Sequence, residues 1–238
     1  VGSEMCIRDR SSSATDFLLK SRHSLMVLKA DLANKHILRG QRKTALFYVI
    51  RRNWCNMKIL VMIDMQNDFL TGALGNAQTA AVLENVCRYV KKYLSESKAP
   101  FIYTMDTHSE NYLETQEGKN LPITHCIENT DGWKLPNELE DIISAAKNNV
   151  ICIKKDTFGA KELPNVIAKI ESESNEKINE IELIGVCTDI CVISNALLIK
   201  AFYPEIQITV NSMCCAGVTP QSHLNALEAM KMCQIRVS

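Results

Sequence analysis

From about residue 57 onward, apolar positions fall into two alternating patterns. Short unbroken or nearly unbroken runs at 58–63, 101–105, 150–153, 181–186 and 206–210 have the length and β-branched content of strands buried on both faces of a sheet. Between them stand longer segments whose apolar residues recur three or four apart. Segment 79–97 carries Val82, Val86, Tyr89, Val90 and Tyr93 on one side. Segments 136–146, 163–170 and 190–198 follow, and 220–232 opens on Pro220, a residue suited to the first helical position. A short run at 235–237 has the character of a last strand. Strand and helix alternate throughout, which predicts an α/β fold: a doubly wound three-layer sandwich with a mostly parallel central sheet, as one domain over 57–238.

Two stretches break the alternation. Residues 107–134 show no sustained period, and a loop of that length inside a compact domain is usually functional. Residues 171–179 are polar and read as a linker. The turn Gly185-Val-Cys-Thr-Asp-Ile-Cys191 separates a strand from a helix. Thr188 and Asp189 are good N-cap types, so the first helical turn is expected near Ile190 and Cys191. Cys191 would then sit among unpaired backbone N–H groups at the positive end of a helix, where a thiol ionises more easily and an oxyanion can be held. The competing reading is a small buried hydrophobe, as free cysteines often are.

Charge divides the chain. The total is neutral, yet residues 1–56 hold eleven Lys and Arg against four Asp and Glu, and the remainder sixteen against twenty-three. The first ten residues, Val-Gly-Ser-Glu-Met-Cys-Ile-Arg-Asp-Arg, resemble a translated sequencing adapter. Segment 1–56 is therefore expected to be a non-native or disordered extension, with the natural start at Met57; a targeting peptide and a nucleic-acid-binding arm are the alternatives. No run approaches the roughly 18 apolar residues of a membrane span. The ten cysteines lack zinc-finger pairing, and no secretory signal has a proper apolar centre. Reduced thiols and a cytoplasmic location are expected, with neither nucleic acid nor membrane as a partner.

In a doubly wound sheet the ligand crevice lies beyond the carboxyl ends of the strands. Asp64, Asp106, Lys155 and the Cys187/Cys191 turn all fall at that end of their predicted strands. A carboxylate, an ammonium and a thiol converging there form a plausible base, charge-stabilising group and nucleophile. Lys154 competes with Lys155 for the inward position.

Met62-Ile-Asp-Met-Gln-Asn-Asp-Phe69, Asp106-Thr-His108, Pro122-Ile-Thr-His-Cys126, Lys155-Asp-Thr-Phe158 and Gly185-Val-Cys-Thr-Asp-Ile-Cys191, in this order, resemble the isochorismatase-like cysteine hydrolases, and within them the nicotinamidases. The resemblance implies the isochorismatase-like hydrolase fold and a catalytic triad of Asp64, Lys155 and Cys191. It also implies a cis peptide at Val186-Cys187, with the N–H groups of Cys187 and Cys191 as the oxyanion hole. A divalent metal, zinc, iron or manganese, is implied on Asp106, His108 and His125. The fourth ligand is open among Glu110, Glu114 and Glu117, with Glu117 preferred from its place in Glu117-Gly-Lys-Asn-Leu-Pro122.

Phe69 and Phe158 match ring-contacting positions of the family. The implied activity is release of ammonia from a small amide, nicotinamide first, through a cysteine thioester, in NAD metabolism and pyridine nucleotide salvage. The alternatives are a hydrolase of isochorismate or of a carbamoyl or aliphatic amide, or a non-catalytic binding member of the fold. The substrate partner is a small molecule, and a homo-oligomer is left open. One departure stands out: nicotinamidases often place an aromatic residue just before the second metal histidine, where this chain has Leu121, Pro122, Ile123 and Thr124. Trp133, in the same loop, is a candidate substitute.

Overall fold

The computed structural model describes residues 56–238, apart from Asn148 and Asn175; the expectation for segment 1–56 falls almost wholly outside the described residues. In chain order the elements are β1 (Asn56–Ile63), α1 (Asn67–Leu70), α2 (Ala77–Glu96), β2 (Phe101–Asp106), α3 (Gln116–Asn120), α4 (Asn137–Ser144), β3 (Val150–Lys155), α5 (Leu163–Glu173), β4 (Lys177–Val186), α6 (Ile193–Phe202), β5 (Gln207–Ala216), α7 (Pro220–Met232) and β6 (Arg236–Val237). The six strands form one sheet in the order β3-β2-β1-β4-β5-β6, and every adjacent pair is parallel. The doubly wound reading holds, with a sheet that is wholly rather than mostly parallel among the described residues.

Period-two alternation sorts the sheet's side chains into two cores. Met57, Ile59, Val61 and Ile63 of β1 pack on one face with Leu163 and Ile167 of α5, Ala196 and Ile199 of α6, and Leu227 and Met230 of α7. Leu60 and Met62 point the other way, against Val82, Val86 and Val90 of α2 and Leu139 of α4. Each such aliphatic side chain, withdrawn from water, contributes about 1.5–3 kcal/mol. Burial on both faces explains why the strand segments read as continuous apolar runs.

Helix starts follow local chemistry. Asn76 and Thr79 form a capping box at α2, and Thr219 and Ser222 form one at α7, with Pro220 in the first turn. Gly185 has φ +116°, and a Cβ there would run into the Ile63 carbonyl oxygen, so only glycine lets β4 close on β1. The sequence reading differs in three places. β4 starts at Lys177, inside the polar linker, because Ile178 alone of its first residues turns fully inward. β5 extends to Ala216, past the apolar run. The aperiodic stretch contains a 3-10 turn at Tyr112–Glu114 and the five-residue α3, both too short to generate a period.

No helix among the described residues is long and apolar enough to cross a membrane. Their eight cysteines are all free.

Candidate active site and metal centre

The strand order reverses between β1 and β4, and a crevice is expected outside the carboxyl ends at that point. Asp64 follows β1 with φ +47°, a left-handed turn that ends the strand abruptly. Its carboxylate is wholly buried: Oδ1 accepts the Thr104 hydroxyl at 2.7 Å, and Oδ2 lies 2.7 Å from Lys155 Nζ. Lys155, last residue of β3, reaches Asp106 Oδ1 at 3.1 Å and the Cys191 sulfur at 3.7 Å with the same ammonium. Lys154 points out to solvent and pairs with Glu128, which resolves the two-lysine ambiguity by simple strand alternation.

Burial of all these groups pulls their proton affinities apart. Burial raises the pKa of Asp64 above the ordinary carboxylate value despite the Lys155 charge. Burial, reinforced by Asp64, pushes the Cys191 thiol well above its usual value. Burial alone would discharge Lys155, but Asp64, Cys191 and Asp106 outweigh it and hold the ammonium charged. Burial and Asp64 thus favour a protonated thiol at Cys191, 3.7 Å from the Lys155 ammonium.

The turn that carries Cys187 and Cys191 departs from the expected cap. Thr188 and Asp189 do not cap a helix; the chain enters a π turn over Thr188–Val192 with Cys187 at the N-cap position, and the Val186–Cys187 peptide is cis. The Cys187 carbonyl accepts the N–H groups of Ile190 and Val192 and passes over that of Cys191. A π turn of this kind is common at functional sites. Cys187, Cys191, Phe69, Phe158, Leu121 and Ile190 line a cavity of about 40 Å³, which shares Glu117, Leu121, Phe158 and Ile190 with an adjoining groove of about 720 Å³. Phe69 is buried and meets His125 edge-on, whereas Phe158 is half exposed at the mouth.

Asp106, His108 and His125 gather beside this cavity. A short parallel bridge between His108 and Ile127 draws the two ends of the long loop together, with His108 N–H donating to Cys126 O at 2.9 Å. His108 Nε2 and His125 Nε2 lie 2.9 and 3.5 Å from Asp106 Oδ2, and Glu117 Oε1 is 3.8 Å from both nitrogens. His125 Nδ1 donates to the Ile123 carbonyl at 2.8 Å, so in the neutral ring Nε2 keeps its lone pair. Burial would raise Asp106, but the two histidines and Lys155 hold it well below the carboxylate range. Burial and Asp106 raise Glu117. Glu110 and Glu114 are exposed and stand outside the cluster. Two imidazole nitrogens and the Asp106 carboxylate, their ligand atoms all within 4.8 Å of one another, make a donor set that fits a divalent transition ion.

Several supporting residues escape a sequence reading because their partners are distant. Gln66 pairs with the Asp106 backbone in both directions, at 2.7 and 2.8 Å, and also donates to Trp133 O. Asn195, fully buried, donates to Cys191 O and Phe158 O and accepts from Ala160 N, tying α6 and the turn before it to the segment after β3. Tyr112 packs its ring on both histidines. Gln66 lies within one of the quoted motifs, and Thr104 lies one strand period before Asp106; these were the available signals. Trp133 turns out to hold the loop: its indole N–H donates to Thr107 and Lys154 lies over its ring, away from the cavity.

A family model described as Isochorismatase domain matches residues 58–238. An uncharacterised isochorismatase family protein, PncA, of Bacillus subtilis (strain 168) is 26% identical over 174 residues, 71% of this chain and 92% of that protein. The pyrazinamidase/nicotinamidase of Streptococcus mutans UA159 superposes with a TM-score of 0.66 at 24% identity, over 76% of this chain and 100% of that one. The pyrazinamidase of Pyrococcus horikoshii, solved in complex with zinc, gives 0.62 at 23% identity, over 76% and 98%.

Proposed function

The chain belongs to the isochorismatase family of hydrolases, and from that premise we propose that it is a cysteine amidohydrolase that releases ammonia from a small amide, nicotinamide first. The observation that carries this reading is one buried ammonium, Lys155 Nζ, in contact with both the Asp64 carboxylate at 2.7 Å and, at 3.7 Å, the sulfur of Cys191, which lines the small cavity. Asp64 takes the thiol proton as sulfur attacks the amide carbon, and the Cys187 and Cys191 N–H groups receive the oxyanion. Collapse of that adduct breaks the C–N bond, with Asp64 returning the proton to the departing ammonia. Water, deprotonated by Asp64, then cleaves the thioester to the acid and restores the thiol. Lys155 keeps Asp64 ionised and oriented through both halves.

Asp106, His108 and His125, with Glu117 as the fourth group, would hold a divalent ion, for which the zinc of the Pyrococcus horikoshii relative makes zinc the first candidate. Such an ion supplies a Lewis-acid anchor for a heteroatom of the substrate ring. Phe69 and Phe158 flank the space such a ring would fill.

The test is an ammonia-release screen of nicotinamide, pyrazinamide and aliphatic amides with protein begun at Met57. Release from the pyridine or pyrazine carboxamides in preference to the aliphatic ones is expected; release from none sinks the reading. Metal content gives an independent check. Protein as purified should carry close to one divalent ion per chain by elemental mass spectrometry, and His125→Ala should weaken retention against a chelator by ~10–100-fold or more. An unchanged metal content in that variant removes His125 from the ligand set.

A further inference from the structure

The turn that carries Cys187 and Cys191 is gripped from behind, by residues with no place in the cavity. Thr188 is completely buried, and its hydroxyl meets His223 Nδ1 at 2.8 Å. The next residue, Asp189, accepts the Val218 N–H with both carboxylate oxygens, at 3.1 and 3.2 Å. Val218 belongs to the junction of β5 and α7, and His223 to the first turns of α7. Gly217 in that junction packs so closely that a Cβ would lie 3.0 Å from Asp189 Oδ1 and 3.0 Å from His223 Cβ. Asn76, the cap of α2, donates to the Gly217 and Val218 carbonyls, each at 3.4 Å, and so fastens the junction from its other side. The Thr219–Ser222 capping box and the His223 N–H, donated to Thr219 O at 3.0 Å, fix where the imidazole stands on α7.

We propose that His223 is a positioning residue for the oxyanion hole: by holding the Thr188 hydroxyl it fixes the peptide between strand end and π turn, so the Cys187 and Cys191 N–H groups stay aimed at the substrate oxygen. The inference rests on the amidase reading above. A buried hydroxyl left without a partner is costly, so a turn without His223 relaxes to find one. Burial lowers the proton affinity of His223 and Asp189 opposes that; the neutral ring can accept the Thr188 O–H or donate to it. Misaimed donors penalise the transition state, where the oxygen carries charge, more than the bound substrate.

Deleting an oxyanion donor outright costs ~10²–10³ in kcat; loosening the turn that carries two of them should cost on the order of 10-fold. The experiment compares ammonia release by the wild type, His223→Ala, His223→Asn, Thr188→Val and the His223→Ala/Thr188→Val double variant. The expected result is a fall of ~10-fold in kcat for His223→Ala and for Thr188→Val, with KM within ~2-fold of wild type. The double variant should be no slower than either single one, because both remove one interaction. His223→Asn, whose amide can occupy the Nδ1 position, should recover most of the lost rate. If His223→Ala fails to fold, Thr188→Val and His223→Asn carry the comparison. An active wild type with kcat unchanged in His223→Ala, an Asn variant as slow as the Ala variant, or multiplying losses in the double variant overturns this inference alone. A wild type that releases no ammonia from any amide overturns the amidase reading and this inference with it.

Discussion

Cys191→Ala is expected to reduce ammonia release by ~10⁴-fold or more, the size of effect seen when the nucleophile of a hydrolytic triad is deleted. The loss should appear in kcat, because the cavity walls at Phe69, Leu121 and Phe158 and the Asp106–His108–His125 cluster are untouched. Removing a neutral thiol from beside Asp64 also leaves the Lys155–Asp64 contact at 2.7 Å in place. The thermal midpoint should therefore move by only a few degrees and metal content not at all. Measuring kcat, midpoint and bound metal on the same preparation separates the chemical role from collapse of the site. Retention of more than a hundredth of wild-type activity would show that another group attacks the substrate.

Lys155→Met should be the most destabilising single change at the site. The ammonium lies between two buried carboxylates, 2.7 Å from Asp64 and 3.1 Å from Asp106, and removing it leaves uncompensated charge where water does not reach. Breaking a buried pair in this way costs about 3–5 kcal/mol. The variant should also carry its own pH dependence. Asp64 already has a folded-state pKa above its ordinary value, because of burial, and loss of the cation raises it further. A carboxyl raised on folding binds more protons folded than unfolded, so stability falls as pH rises from the unfolded pKa through the folded one. Urea denaturation of Lys155→Met should therefore show stability partly regained as pH is lowered from neutrality toward 5, and Asp64→Asn added to Lys155→Met should restore much of it. Equal stability of Lys155→Met and the wild type at neutral pH would mean that the buried charges are balanced by some other group.

Much of the architecture could be read along the chain because parallel strands buried on both faces advertise themselves. Residues 59–63 are apolar without interruption since both cores claim alternate members of the run. The start of β4 was hidden for the opposite reason: Lys177, Asn179 and Glu180 face water or polar neighbours, and parallel pairing with β1 makes them a strand. At the site, each residue expected from a strand end or a motif came to the same edge, since the carboxyl ends of four adjacent strands point there. What the chain does not display is how the residues are held. Gln66 meets Asp106, and Asn195 meets Ala160 and Phe158, only through the tertiary arrangement. The π turn has no distinctive residue pattern; Thr188 and Asp189 look like helix caps and instead face the β5–α7 junction.

The strand order has a consequence for how the molecule is made. β1 is the first described strand to leave the ribosome and ends in the middle of the sheet, with β2 on one side and β4 on the other. β2 and β3 can join it early, which leaves the far edge of an almost wholly apolar strand bare until residues 177–186 have been synthesised. Bare edges of that kind invite pairing with neighbouring chains. The nascent protein is thus most exposed to aggregation midway through translation, and slow elongation in that interval or limited chaperone capacity should lower the yield of soluble chain more than any change in the finished fold.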